Sequence, residues 1–514
     1  MMQSNLFLML AAVLFPPAGL FLLWRRRGGA AVKALGTLAI LAVGVVELFK
    51  VYGLKVSLDG STTRPFLSFK STEARDAAVE QDRAAQQQQL PAPVAPPPSE
   101  PSAVVQAAAK PIEPAPPVAA LPVPVPAAKD YWTDYRGPGR LGIYDETPIL
   151  TAWPASGLKR LWKQPVGGGY SSFTVAGGVA FTIEQRRDQE VVAAYDVATG
   201  REKWTNTWKA RFSESMGGDG PRTTPVFDAG RVFALGAEGE LRVLDAASGK
   251  TIWNKNILAD NGAENLTWAQ SASPLIVDGK VIVLPGGTGG KSVVAYDKLT
   301  GARVWSALDD VQAYAAPIVA TLAGQRQLLV VSAQRVMGLT VDAGKLLWEL
   351  PWVTEYNINA TYPIVVSPNR FFISSGYDHG AAIVELSPAG DSKFSTRVVW
   401  QNKKMKTKVN DAVLYQGHIY GLDEGILACV DVETGAQKWK GGRYGYGQIL
   451  LSAGHLVVLS ERGELALVKA EPGGHREVAK FDAISGKTWN NPAIAGGVLL
   501  VRNTEEMAAF QLGK

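Results

Sequence analysis

The chain has 514 residues, a formal charge of +5, 53 Gly, 31 Pro, four His and one Cys. A single Cys excludes a disulfide framework, a Cys-based zinc site and a C-x-x-C-H haem attachment. The basicity is not spread as a nucleic-acid-binding surface would need: residues 1–71 carry 8 Lys+Arg against 2 Asp+Glu, whereas 130–514 carry 40 against 39.

The N-terminus reads as a membrane anchor. Leu6 to Trp24 holds no charge, Arg25, Arg26 and Arg27 follow, and a second apolar run covers 34–54 with Glu47 and Lys50 near its far end. At ~1.5 Å per residue each run approaches the ~30 Å hydrocarbon thickness. Basic loops stay cytoplasmic, so residues 1–54 are expected to form a two-helix transmembrane hairpin (about 6–24 and 34–54) with both ends outward. A cleaved signal peptide is the competing reading; "MMQSN" lacks its positive charge.

Residues 55–129 are expected to be a Pro/Ala/Gln-rich periplasmic linker. From residue 72 they contain "QQQQ", "PAPVAPPPSEPS" and "PAPPVAALPVPVP", a composition that cannot bury a core. Extended at ~3.1 Å per residue, 72–129 would reach on the order of 180 Å from the membrane.

The remainder, 130–514, is a repeat array. "AYDVATGREKW", "VLDAASGKTIW", "AYDKLTGARVW", "LTVDAGKLLW" and "CVDVETGAQKW" end at Trp204, Trp253, Trp305, Trp348 and Trp439, each with a Gly four residues earlier. Degenerate copies end at Trp400 and Val478, and Trp162 stands alone at the start. Asp opens a turn, Gly supplies positive φ, and the following strand carries a Trp that fills the space between sheets. A second marker, the start of an inner strand, falls at Ser172, Thr224, Ser273, Ala316, Tyr362, Asp411, Gln448 and Asn491, spaced 37 to 52 residues apart. Eight such units predict an all-β, eight-bladed propeller of four-stranded blades. The last unit has three strands and the first strand, "LKRLWKQPV", has no blade, so N- and C-terminal strands would close the ring. A seven-blade count is the alternative.

The pattern A-x-D-x-x-T-G-x-x-x-W around a ring resembles the pyrroloquinoline-quinone-type (PQQ-like) propeller family, in a membrane-anchored form. Kelch and WD repeats carry different marks. The segment "DYRGPGRLGIYDE" resembles the lead-in of envelope-associated members. The resemblance implies the fold directly and leaves two functions open. One is a binding or scaffolding module in the periplasm, like the propeller lipoprotein of the outer-membrane barrel-assembly machinery, although that relative is held by an N-terminal Cys absent here. The other is a quinoprotein dehydrogenase oxidising an alcohol or sugar.

Inner strands converge on the propeller axis, so residues just before each marker should line the funnel. Tyr170, Arg222, Tyr314, Tyr446, Trp489, Asn410 and Asn490 are the candidates for holding a ligand, since aromatic faces and an Arg suit a planar anion. The resemblance implies PQQ with calcium, the ion held by a carboxylate and amide oxygens; Asp411 is then the candidate base or calcium ligand, Arg222 the cofactor's ion pair and Trp489 its stacking floor. The family dehydrogenases' adjacent-Cys disulfide is impossible with Cys429 alone. "SMGGDGPR" (215–222) reads as a Gly-rich blade connection, with a calcium or anion loop as the alternative. The expected setting is the bacterial inner membrane with the propeller in the periplasm, contacting the membrane and envelope proteins, not nucleic acid.

Overall fold

The structure is a computed structural model describing residues 16–25, 29–50, 53–61, 64–68, 71–88, 130–391 and 393–513. Eight four-stranded antiparallel sheets succeed one another from Thr174 to Gln511. The eighth is composite: Ala493–Ala495, Val498–Arg502 and Glu506–Gln511 are completed by Arg160–Pro165, Ala509 pairing with Trp162. The ring therefore has eight blades, closed by strands from both ends, which removes an open edge.

The repeat's Gly and Trp belong to one joint. The indole N–H of Trp204 donates to Ala246 O of the next blade at 2.9 Å, Trp162 to Val197 O at 2.8 Å, and Trp253, Trp305, Trp400 and Trp439 to the equivalent turns beyond them. Five of the rings lie on that turn's glycine, as a Cβ at Gly249 would meet Trp204 at 2.5 Å, whereas Trp439 lies against His475 instead. Trp348 faces blade 5, whose degenerate copy lacks the turn. It donates instead to Gln327 at 2.6 Å and stacks on Phe371. A bulge recurs beside this position in all eight blades, including blade 7, where the register puts Ala479 at the Trp position and the expected Val478 in the bulge. A bulge strengthens local twist, so the geometry outlasts the residue that marks it.

Residues 132–140 form a hub on the axis. Trp132 O and Thr133 O accept from Val175 and Phe227 of blades 1 and 2. The Arg140 guanidinium donates to Ser273 O, Pro274 O and Pro317 O of blades 3 and 4, and its carbonyl accepts from Tyr362 of blade 5. Arg136 donates to Ala412 O, Ile449 O and Asn491 Oδ1 of blades 6, 7 and 8, at 3.2–3.3 Å. Nine residues thus bond to all eight blades and close the channel at this level. Ile143–Tyr144 then pairs in parallel with Leu451 and Ser452, a fifth strand on blade 7.

Two expectations for the N-terminus change. Helix Ala30–Lys50 contains a stretch, Ala30–Phe49, long and apolar enough to cross a membrane. Of the other expected span, Pro16–Arg25 is helical and residues 6–15 lie outside the described residues, so a two-span hairpin is not established. The linker expected from residue 55 is in part ordered. Lys55–Leu58 pairs with Pro65–Ser68 as a hairpin, and Thr72–Gln88 is a helix. That helix lies on blades 1 and 8. Asp76 accepts from Arg187 N at 3.0 Å, Gln86 from Glu202 N at 3.0 Å, and Arg83 reaches Pro165 O and the Tyr195 hydroxyl at 3.3 Å. Composition misled here because its alanines and glutamines are good helix formers once an Arg/Asp face has a partner. Residues 89–129, the Pro-rich part, lie outside the described residues.

Candidate functional site

The funnel opposite the hub holds a cavity of about 200 Å³. Seven of the eight residues two positions before the inner-strand markers line it: Tyr170, Arg222, Ser271, Tyr314, Ala360, Val409 and Trp489. One small rule of register therefore places seven of the nineteen wall residues, because equivalent positions in each blade sit at equal distance from the axis. Tyr170 and Trp489 pack with ring centroids 5.2 Å apart at a 31° tilt, and Trp268 lies 5.9 Å from Tyr314.

Arg222 is already engaged. It lies 4.5 Å above Phe212 and 5.7 Å from the Tyr170 ring, and donates to Gly218 O at 2.8 Å, to Gly220 O and to Glu214 at 3.3 Å. Glu214 in turn accepts the amides of Met216, Gly217 and Gly218. The 215–222 segment is thus a blade connection folded around the ion pair of Arg222 with the preceding Glu214. Burial pulls the Arg222 pKa below its ordinary value.

Asp411 is not in the cavity wall. It is 3% exposed, accepts from Tyr135 Oη at 3.1 Å and Tyr362 N at 3.4 Å, and lies 3.9 Å from Arg136. Burial raises its pKa against the pull of Arg136. Its oxygens hold the hub to blades 5 and 6. Asn410 and Asn490 also turn away, donating to Gly447 O at 3.3 Å and to Ser171 O at 2.8 Å in neighbouring blades. They belong to a belt of blade-to-blade bonds, with Ser172 N to Thr224 Oγ1 at 3.0 Å and Thr224 N to Ser273 Oγ at 2.8 Å.

The register rule missed several wall residues. Trp268, Lys408 and Met216 come from blade connections, Tyr377 from a turn within blade 5, and Leu58, Asp59 and Gly60 from the N-terminal hairpin. Lys408 lies 4.7 Å from the Tyr377 ring and 5.4 Å from that of Tyr446. Lys487 sits 3.7 Å above Trp489 and donates to Met216 O at 2.9 Å; burial pushes its pKa down to about 8. Tyr446 lies behind the hairpin tip rather than in the wall: a Cβ at Gly60 would collide with its ring. Only contiguity with Val409 marked Lys408 in the sequence, and nothing marked the hairpin.

This architecture defines a propeller of the quinoprotein-like repeat class, with a hub-closed channel and an aromatic funnel. The chain belongs to the PQQ-repeat family described as outer membrane protein assembly factor BamB, whose model matches residues 135–266 and 187–441. It is similar to the outer membrane protein assembly factor BamB of Burkholderia pseudomallei, 23% identical over 305 residues, 51% of this chain and 74% of that protein. Among solved structures, a quinohemoprotein alcohol dehydrogenase from Comamonas testosteroni matches 75% of this chain and 81% of its own at 14% identity and a TM-score of 0.52. BamB from Moraxella catarrhalis matches 69% and 100% at 15% identity and a TM-score of 0.49. The likeness to the dehydrogenase, at this identity, shows the fold alone.

The donor set does not fit a calcium-bound quinone. Asp411 is committed to Tyr135, Tyr362 and Arg136, and the amide of Asn491 to Tyr135 and Arg136. The carboxylate in the wall is Asp59, delivered by the hairpin. Among the described residues no three His, Cys, Asp or Glu side chains gather as a metal site. Cys429 is buried within a strand, with its thiol pushed up to about 11 by burial, so it is a packing residue.

Proposed function

We propose that this protein is a membrane-tethered binding propeller of the cell envelope that scaffolds envelope proteins from the periplasmic side of the inner membrane, anchored by its N-terminal helical hairpin. The observation that carries the reading is the pairing of a BamB-family propeller with an apolar helix whose end abuts the funnel. Phe49 and Leu54 share a cavity with Tyr170, Glu214 and Lys487. The relative's name joins it to outer-membrane protein assembly, and a role of that class is proposed here. A family propeller offers loops and strand edges for docking without needing reactive groups. The commitment of Asp411 and Arg222 to intramolecular bonds supports binding over quinone chemistry.

In-cell crosslinking of the full chain, followed by capture under denaturing conditions, tests this. A reproducible envelope protein, absent from mock captures, is expected. Recovery of none, together with dye-linked alcohol or sugar oxidation on adding quinone and calcium, would overturn it.

A further inference from the structure

The hairpin tip does more than touch the funnel. Gly60 is held by both sides of its peptide. Its N–H donates to Glu461 Oε1 at 2.7 Å, and its carbonyl accepts from Lys408 Nζ at 2.6 Å. Glu461 is 4% exposed and is itself fixed by Trp489 Nε1 at 2.8 Å and Tyr446 N at 3.2 Å. The Tyr446 ring lies where a side chain at position 60 would stand. Arg462 lies 5.5 Å over Phe66 on the returning strand. A buried carboxylate for an amide, an ammonium for the same residue's carbonyl, and a ring that excludes Cβ together make a clamp for a glycine backbone. Charged partners make these bonds stronger than neutral ones.

We infer that the funnel rim is a peptide-binding site that recognises a glycine in a turn, and that the chain's own Leu58–Asp59–Gly60 turn fills it. An incoming partner loop of the same chemistry enters only by displacing this hairpin. The identity of such a partner rests on the proposed scaffolding function; the clamp does not. Tethering gives the hairpin an effective concentration on the order of millimolar, so a weak clamp suffices to keep the site closed.

The test uses the full chain in detergent and a labelled synthetic peptide of residues 53–68, followed by fluorescence anisotropy. With Gly60→Val in the chain, the free peptide is expected to bind at least roughly tenfold more tightly than to the unaltered chain, because the tethered competitor is gone. A peptide carrying Gly60→Val should not bind, and adding Lys408→Met to the variant chain should abolish binding. Hydrogen exchange reads the unaltered chain directly: the Gly60 amide should exchange slowly, and excess peptide should accelerate it. Equal binding to unaltered and Gly60→Val chains, no binding to a folded Gly60→Val chain, or free exchange at Gly60 would each overturn the inference. These outcomes concern the clamp alone, so they are distinguishable from a failure to capture an envelope partner.

Discussion

Gly249 and Gly279 have nearly the same backbone, φ +70° and +74°, but different surroundings. An added Cβ at Gly249 meets the Trp204 ring, whereas at Gly279 it meets nothing within 4 Å. Gly279→Ala should therefore cost only the left-handed backbone penalty, about 1–2 kcal/mol. Gly249→Ala should add overpacking of about 1–3 kcal/mol. Thermal unfolding of the two variants checks this; equal losses would mean that the Trp–Gly joint carries no packing energy. The joint was legible in the sequence as a spacing, since Gly and Trp recur four apart. That they join two different blades was not, because spacing along one unit carries no information about its neighbour. Asp411 shows the same gap. Its position beside the axis could be read from the repeat, but its environment depends on Tyr135 and Arg136, which lie some 270 residues away and have no repeat to mark them.

At the scale of elements, the contact between blades 1 and 2 holds a buried carboxyl. Glu190 is fully buried and accepts from Ala237 N at 2.8 Å, with Trp208, Glu238 and Arg222 around it. Burial, reinforced by Glu238 and opposed by the Ala237 amide, Trp208 and Arg222, raises its pKa from 4.5 to about 7. The fold binds this proton more tightly than the unfolded chain does. Its contribution to stability is thus complete below about pH 4.5 and is lost as pH climbs through about 7, a loss on the order of 3 kcal/mol. Glu190→Gln should flatten the dependence of unfolding free energy on pH between 5 and 8; an unchanged slope would contradict it.

The strap helix Thr72–Gln88 makes a second prediction at this scale. Arg83 stacks 4.9 Å from the Tyr195 ring and pairs with Glu202 at 3.2 Å. Arg83→Ala should raise hydrogen exchange throughout the helix while the propeller strands stay protected. If the helix remains protected, its docking depends on Asp76 and Gln86 rather than on this side chain. The helix was hidden in the sequence because its pattern is polar, with alanine and glutamine between charges, and its buried side chains include Arg75, Asp76 and Arg83. An apolar stripe is what periodicity detects.

For the whole molecule, the strap alters the meaning of the Pro-rich segment. Residues 89–129 connect a helix docked on blades 1 and 8 to a hub that bonds to every blade, so both ends of the segment are held by the propeller. With the helix Ala30–Lys50 as the proposed anchor, the reach from the membrane is set instead by the four residues between Lys50 and Lys55, at most ~15–20 Å when extended. On that proposal the funnel faces the membrane, with the 55–68 hairpin between them. Blade number, ring closure and one wall residue in each of seven blades could be read from the repeat, because a repeat encodes its own register. The hub and the strap could not, since each is a unique segment whose structure comes from what it touches.

The central claim is that the funnel of this propeller is a peptide site held closed by its own N-terminal hairpin. A photoreactive side chain at Val409, in the cavity wall beside Lys408, tests it in the full chain in intact cells. The account predicts a crosslink to residues 55–61 of the same chain, lost in Gly60→Val and replaced there by a crosslink to an envelope protein. A crosslink pattern with no product in the hairpin, unchanged by Gly60→Val, would contradict it.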